Sequence, residues 1–487
     1  MWAWSAGGYR RMGTAGAVAV AVGGWGAGTL PARDPWGLWV PHGTALTVAA
    51  AGLAYLGLTV LLVAWWRYGR TGAAARHART TLVCWTAPLL VAPPLYSADV
   101  YSYIAQGAMV LEGHDVYGAG PSVLDPDGLG GAAAASVGGH WTDTPAPYGP
   151  VFLLLAEGVT RLTGGTIVPA VLGLRLVAVA ALALIVWALR RLARRLGTDE
   201  GGALWLGALN PLLLTHVVGG IHNDGLMIGL LLAGMVLAGR GRWIAGAALV
   251  GLAMMVKSPA AVALPFIGVL AGRAAPERPL ARRVALGLLG PGLVAGAVAG
   301  AATLLAGTGF GWLRTQSVAG SIHTALSAVS DLGLGLGQLA RLLLGTDAEP
   351  VKSAVQSLGL AAALVVIALL ALRSARGRLD PVHGLGLALL ALVALSPMVQ
   401  PWYLLWGLTV VAATAWDGRC GRLLAVLSAG LGYVTQPSGH TPAYGFALAA
   451  LGCLLAALLV RREGAATDGA RVPGPRRPVP DRADART

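Results

Sequence analysis

The stretch VLGLRLVAVAALALIVWALRRLARR, residues 171–195, decides how the whole chain is read. A long apolar run ends in Arg190, Arg191, Arg194 and Arg195. About 20 apolar residues cross the hydrocarbon of a bilayer. Arginine gathers at the cytoplasmic end of such a crossing. The stretch is therefore a membrane helix that runs inward. Composition extends that reading to the rest of the chain. Of 487 residues, 56% are AVILMFWYC and only 11% are charged, whereas a soluble domain carries about a quarter charged residues. The net charge of +14 lies in short arginine clusters between apolar runs, which points away from nucleic acid. Cys84, Cys420 and Cys453 show no metal-ligand spacing and imply no disulfide framework.

Working outward, crossings are expected near 12–31, 44–66 and 80–95, then the one ending at Arg190, then 203–219, 224–239, 243–256, 259–272 and 284–307. The last set lies near 355–373, 383–398, 403–416, 422–435 and 443–460. Each inward end meets arginine, as at Arg67, Arg70, Arg76 and Arg79, at Arg240 and Arg242, at Arg273, and at Arg373, Arg376 and Arg378. The alternation predicts an all-α polytopic membrane protein of about fourteen helices, with both termini cytoplasmic. The division is 1–79, two N-terminal helices and a cytoplasmic loop; 80–462, the main membrane body; and 463–487, a polar tail expected to be disordered. Residues 96–148 contain no Lys or Arg but do contain Asp99, Glu112, Asp115, Asp125, Asp127 and Asp143. That bias places the segment outside. A second outer segment is expected at 308–354. The stretch 151–165 is too short and interrupted for a crossing, and Glu157 and Arg161 can pair there one helical turn apart.

In YSADVYSYIAQG, residues 96–107, Asp99, Tyr103 and Gln106 share one side of a helix, near Tyr101. Asp99 is either a general base for a substrate hydroxyl or the cap of an interfacial helix. LEGHDVYG supplies His114, Asp115 and Tyr117, and HWTDTPAPYGP supplies Trp141, Asp143 and Tyr148. Aromatic rings and carboxylates together suit a sugar, although aromatic belts at the bilayer surface look the same. His114, Asp115 and His140 lack a metal motif, and no metal is expected. IHNDG, residues 221–225, brings His222, Asn223 and Asp224 to an outer turn. Gln400, Trp402 and Tyr403 stand at another outer end, and Gln436 and His440 at a third. Arg175 and Lys257 lie inside apolar runs, where a cation costs about 2.5–3.5 kcal/mol at a helix centre. Each is thus a candidate for neutralising a lipid phosphate, with Arg314 as a further candidate, or else a snorkelling side chain.

The strings SADVYSYIAQG, HDVYGAGP, PAPYGPVFLLL, GGIHNDGLMIGLLLAG, VKSPAAVALPF and PMVQPWYLLWG occur in this order between about residues 80 and 440. Together they resemble the actinobacterial polyprenol-phosphomannose-dependent α-1,6-mannosyltransferases of the GT-C membrane fold. The resemblance implies a polyprenyl-phosphate mannose donor, a mannan or glycolipid acceptor, and catalysis on the outer face. It also implies an acidic base in the first long outer loop, a role that falls on Asp99. Many GT-C enzymes pair two acidic residues there, whereas this chain has Ala98 beside Asp99, and Asp115 is the candidate for the second. No nucleotide site or other cofactor is expected. The competing readings are a GT-C transferase for another polyprenyl-phosphate sugar and a polytopic transporter.

Overall fold

The computed structural model describes residues 4–469, apart from 74, 275, 276 and 278. Among these residues every regular element is helical. Helices α1 (Ala6–Ala27) and α2 (Thr44–Tyr68) form a hairpin. Their backbones touch at Gly16 and Gly57, where a Cβ on Gly16 would stand 2.7 Å from the Gly57 carbonyl oxygen. Small residues at such a crossing let membrane helices pack closely. Helix α3 (Ala75–Thr86) continues as a 3-10 turn at Ala87–Leu90, and Pro93 and Pro94 prevent further helix. The acidic segment holds α4 (Asp99–Leu111) and the short α5 (Gly131–Ala134). Helix α6 (Pro150–Thr163) packs on α4 and leads into α7 (Ile167–Leu196). On α6, Arg161 Nη2 donates to Glu157 Oε1 at 2.6 Å, the pair the spacing predicted.

Next come α8 (Glu200–Gly207) and α9 (Pro211–Leu213), the latter running into a π-helical turn at Leu214–Gly219. Then follow α10 (Asp224–Gly239), α11 (Trp243–Met254), a 3-10 turn at Ser258–Val262 and α12 (Ala263–Arg273). The C-terminal part contains α13 (Leu280–Ala306), α14 (Val318–Ser321), α15 (Ala328–Leu344), α16 (Ala348–Ala375), α17 (Pro381–Ala394), α18 (Leu404–Ala415), α19 (Arg419–Leu431) and α20 (Ala443–Gly469). The tail beyond Gly469 lies outside the described residues.

Among the described residues, five helices are long and apolar enough to cross a membrane. A sixth is counted if α8 and the Pro211–Gly219 segment, bent by 48°, form one span. The crossings expected at 224–239, 243–256, 259–272, 383–398 and 403–416 are apolar helices of 10–17 residues. Breaks at Lys257–Pro259 and at Pro397–Pro401 shorten several of them, because proline has no N–H to continue a helix. The segment 308–354 is largely helical too, since α15 and the start of α16 fall within it.

Loop ends sort into two groups. Arg190 and Arg194 both pair with Glu200. Thr198 Oγ1 donates to the Ala413 carbonyl at 2.7 Å, and Arg273 Nη2 donates to the Ser374 carbonyl at 2.5 Å. In the other group, Thr29 N donates to Pro94 O at 2.9 Å and Tyr96 N to Pro437 O at 2.9 Å. Leu95 N also donates to Gly219 O at 3.1 Å, and Phe152 N to Met255 O at 3.2 Å. The arginine-rich ends thus contact one another, and so do the ends that carry the acidic segment.

Candidate active site

Two strained backbone positions frame the site. Tyr96 has φ 64° and Ile221 has φ 58°, the only non-glycine residues with positive φ among those described. The left-handed region is unfavourable for a β-branched residue such as isoleucine, and such strain persists only where the surroundings enforce it. Arg175 supplies that enforcement. Its buried guanidinium donates to the carbonyls of Leu90 at 3.0 Å, Ala92 at 2.6 Å, Pro93 at 3.3 Å and Val218 at 3.3 Å. It therefore ties α7 to the strand of chain before α4 and to the π turn before His222. The cost of burying this cation is offset by four carbonyl dipoles. Arg175 is not among the residues lining the cavity described next. Four of its five N–H groups are committed to backbone carbonyls.

The cavity, about 480 Å³, is lined by Asp99, Trp141, Tyr148, Lys257, Gln400, Trp402 and Tyr403. Ser353, Gln356 and Ser357 of α16, and Thr315, Gln316 and Ser317, complete its polar wall. Asp99 is the first residue of α4, not its cap: the cap position is Ala98, which has no capping side chain. The Asp99 backbone N–H instead donates to Ser97 Oγ at 3.1 Å. The Asp99 carboxylate, about one-fifth exposed, stands 3.2 Å from His222 Nδ1. Burial pushes the Asp99 carboxyl up, but the His222 N–H and charge, Lys257 and Ser97 together hold it below its ordinary value. Burial raises the Tyr148 phenol well above its ordinary value, so it remains a neutral donor.

Lys257 Nζ sits 2.9 Å from both carboxylate oxygens of buried Asp224. Trp406 Nε1 donates to Asp224 Oδ1 at 2.6 Å. The ammonium also lies over the Tyr403 ring at 4.7 Å, and Tyr403 stacks on Trp406 at 4.2 Å. A second carboxylate, Asp224, thus stands behind Lys257, buried and outside the cavity lining. Asp115, the expected partner of Asp99, lines a separate pocket with His114 and Arg314. Its side chain there accepts from Tyr117 N at 3.0 Å.

The other expected residues divide by place. Tyr101 is buried and donates to the Thr29 carbonyl at 2.6 Å, away from the cavity. Tyr103 forms edge contacts with Tyr148 and Phe152 behind the cavity wall. Tyr117 OH donates to the Tyr148 carbonyl at 3.1 Å, supporting that wall. Gln106 is buried in α4, and both amide atoms of buried Asn223 are unpartnered. Gln436 accepts from Tyr444 and His440 contacts Ser438, so neither lines the cavity. No group of three metal-ligating side chains occurs among the described residues.

Sequence reasoning missed Trp406, His216 and the polar face of α16. Trp406 stands one turn after Trp402 and Tyr403 in an already quoted string. His216 lies inside an apolar run, where an ionisable residue marks a functional site by default.

An all-helical body with membrane-length apolar helices around a carboxylate–lysine cavity defines a helical membrane protein. A family model for the α-(1→6)-mannopyranosyltransferase N-terminal domain matches residues 10–273, and one for the MptB C-terminal domain matches residues 329–462. The chain belongs to this α-(1→6)-mannopyranosyltransferase family, and the match includes the first two helices. It is 37% identical to a probable α-(1→6)-mannopyranosyltransferase of Mycolicibacterium smegmatis, over 85% of this chain and 79% of the relative. Identity to α-(1→6)-mannopyranosyltransferase A of Mycobacterium tuberculosis is 36%, over 90% and 86%. With α-(1→6)-mannopyranosyltransferase B of Corynebacterium glutamicum it is 32%, over 86% and 74%. No solved structure matches the chain.

Proposed function

We propose that this protein is an inverting mannosyltransferase of GT-C type, acting on the outer face of the inner membrane. It moves mannose from polyprenyl-phosphate mannose to a mannan or glycolipid acceptor, forming the α-1,6 linkages of a lipoglycan backbone. The mannosyl and α-1,6 parts of this reading come from the names of the relatives. The lipid carrier is supported by one observation, the gradient along α16. Ser353, Gln356, Ser357 and Leu360 line the cavity. The same helix then turns Ala368, Ala371, Leu372 and Ala375 into an apolar cleft of about 750 Å³ between α12, α13 and α16. Pro259 and Val262 of the cavity adjoin Ala261, Leu264 and Pro265 of the cleft along one segment. A ligand with a polar head and a long apolar tail fits both together.

In this reading the donor phosphate meets Lys257 where its ammonium lines the cavity. Asp99 takes the proton of the acceptor hydroxyl as its oxygen bonds to the anomeric carbon. The bond from that carbon to the phosphate oxygen breaks on the opposite face, and a β-linked donor gives an α-mannoside. Lys257 offsets charge developing on the departing phosphate. Trp402, Tyr403 and Trp141 offer ring faces to the sugar, with Gln400 as a hydroxyl partner. Arg314 and Asp115 stand at the neighbouring pocket, where an acceptor chain can extend. Residues 80–462 form the catalytic body, with the 1–79 helices packed against it.

The test is transfer in membranes containing the protein, from radiolabelled polyprenyl-phosphomannose to a short α-1,6-mannoside. The expected product carries one more α-1,6-linked mannose, and GDP-mannose gives none. Transfer from a polyprenyl-phosphate pentose instead would reassign the donor. Sugar-lipid movement across vesicles without bond formation would make the protein a transporter.

A further inference from the structure

Behind Trp402, away from the cavity, lies a cluster of buried rings. His222 is stacked on Trp402 with centroids 3.8 Å apart. His216 packs on both, at 5.6 Å from His222 and 5.0 Å from Trp402, and Tyr96 closes the cluster at 5.5 Å from His216. His222 does not line the cavity and its side chain is 0% exposed. What it does touch is the carboxylate. Its Nδ1 is 3.2 Å from Asp99 Oδ2, in a contact that is close but bent. The backbone is shaped for this placement: the π turn ends at Gly219, and Ile221 adopts its left-handed conformation immediately before His222. Among the described residues, the ring nitrogens of His216 and His222, the Trp402 indole N–H and the Tyr96 hydroxyl are buried without a well-aligned hydrogen-bond partner. Unpaired buried polar atoms are costly and rare, so their concentration behind one carboxylate calls for a role.

We propose that His222 is the positioning residue of Asp99. Its Nδ1–H holds Oδ2 and leaves Oδ1 turned to the cavity as the proton acceptor, while the Trp402–His216–Tyr96 cage fixes the imidazole plane. This rests on the reading of Asp99 as base. The groups facing the carboxylate are His222 and His216 from the π turn and its exit, Tyr103 of α4, Tyr148, Lys257 with its partner Asp224, and Tyr403. Of the groups facing the carboxylate, His222 has its ring nitrogen 3.2 Å away, and its removal leaves the Lys257–Asp224 pair and the cavity lining in place. An N–H donated to a carboxylate favours the ionised form. Loss of that N–H therefore moves the protonation of Asp99, and the acid limb of activity with it, to higher pH.

Three variants test this. His222→Asn keeps an N–H near the Nδ1 position, His222→Gln carries it further out, and His222→Phe removes it while filling the space. The expected result is turnover close to wild type for asparagine. Glutamine and phenylalanine should lose about 10²-fold in kcat, the usual effect of a misplaced catalytic group. In these two the donor KM should be unchanged and the acid limb should lie at higher pH. Should the phenylalanine variant not accumulate, the asparagine–glutamine pair decides, since the two differ only in where the N–H falls. Equal activity and an unmoved acid limb in that pair overturn the proposal. Asp99→Asn distinguishes the two readings: its near-normal transfer would remove the base itself, whereas its loss beside unaffected His222 variants would remove only the positioning role.

Discussion

Asp99 carries its charge at the head of α4, where the helix dipole favours an anion, yet no backbone N–H of that helix caps onto it. Its carboxylate is spent on His222 and on the cavity. Asp99→Asn keeps size and shape and removes the proton acceptor. Mannosyl transfer should therefore fall by about 10²–10⁴-fold while the protein still inserts, measured as turnover per folded molecule in detergent. A structural Asp99 would leave the asparagine variant close to wild type. Lys257 and Asp224 must be judged as a pair. Lys257→Ala strands a buried carboxylate, and such truncations cost about 2–5 kcal/mol of binding or more. The double variant Lys257→Ala/Asp224→Ala removes both charges and should recover stability without recovering donor use. Recovery of donor use in the double variant would take the phosphate contact away from Lys257. Arg175 behaves differently. Its loss should lower the melting temperature and leave the donor KM of the surviving protein unchanged. In the sequence these two cations are equivalent, each an isolated charge in an apolar run. The difference lies in what surrounds them: four carbonyls converge on one, and a carboxylate and an open cavity meet the other. Carbonyl directions follow from chain path, which residue types alone do not specify. Asp224, Trp402 and Tyr403 were legible because aromatic and carboxylate residues at the ends of apolar runs stand out. Asp115 stands apart because its loop, though acidic, places it with Arg314 at a neighbouring pocket.

Elements set how far a lipid can enter. Helix α12 is pinned to α13 at Gly268 and Gly287, where a Cβ on Gly268 would lie 2.0 Å from the Gly287 carbonyl oxygen. That contact fixes two walls of the apolar cleft, and α16 forms the third. Filling the cleft from α16 tests its use. Ala368→Phe or Ala371→Phe should raise the KM for a long-chain polyprenyl donor roughly ten-fold, about 1.4 kcal/mol. Transfer from a donor with a short, soluble chain should be unchanged. An equal effect on both donors would place the tail elsewhere. The helices that build this region were visible as apolar runs, and α10 begins and ends where hydropathy placed it. The turn at Ser258–Val262 falls where Pro259 already divides 243–256 from 259–272 in the sequence. Less visible was the bend at Asn210–Pro211, inside the stretch 203–219 that hydropathy reads as one crossing. Both breaks feed the site, since one leads to His222 and the other starts at Lys257.

Over the whole molecule, charge sorts the chain into two ends. Arg190 and Arg194 pair with Glu200 across their own connection, and Arg273 meets the Ser374 carbonyl of the connection that carries Arg373, Arg376 and Arg378. The acidic segment gathers with residues 29, 94–96, 219 and 437. Arg33 is an exception in sign but not in place, since it pairs with Asp127 of the acidic segment at 3.2 Å. A bilayer with arginine-rich ends inside puts Asp127 and the cavity outside, where a polyprenyl-linked sugar would be used. Single cysteines at Asp127 and Arg376, both exposed positions, read this out directly. Cys84, Cys420 and Cys453 are half-buried and are first replaced by alanine to remove background. The Asp127→Cys change gives up only a surface ion pair, worth up to about 1 kcal/mol, so insertion should be unaffected. In intact cells an impermeant thiol reagent should label Asp127→Cys and spare Arg376→Cys, which should react only once the membrane is opened. The reverse pattern would invert the molecule, place Asp99 and Lys257 on the cytoplasmic face, and make a cytoplasmic sugar donor the one to test. Labelling of both in intact cells would mean that the two groups of loop ends do not lie on opposite sides of a bilayer, and the arginine alternation would lose its meaning as topology.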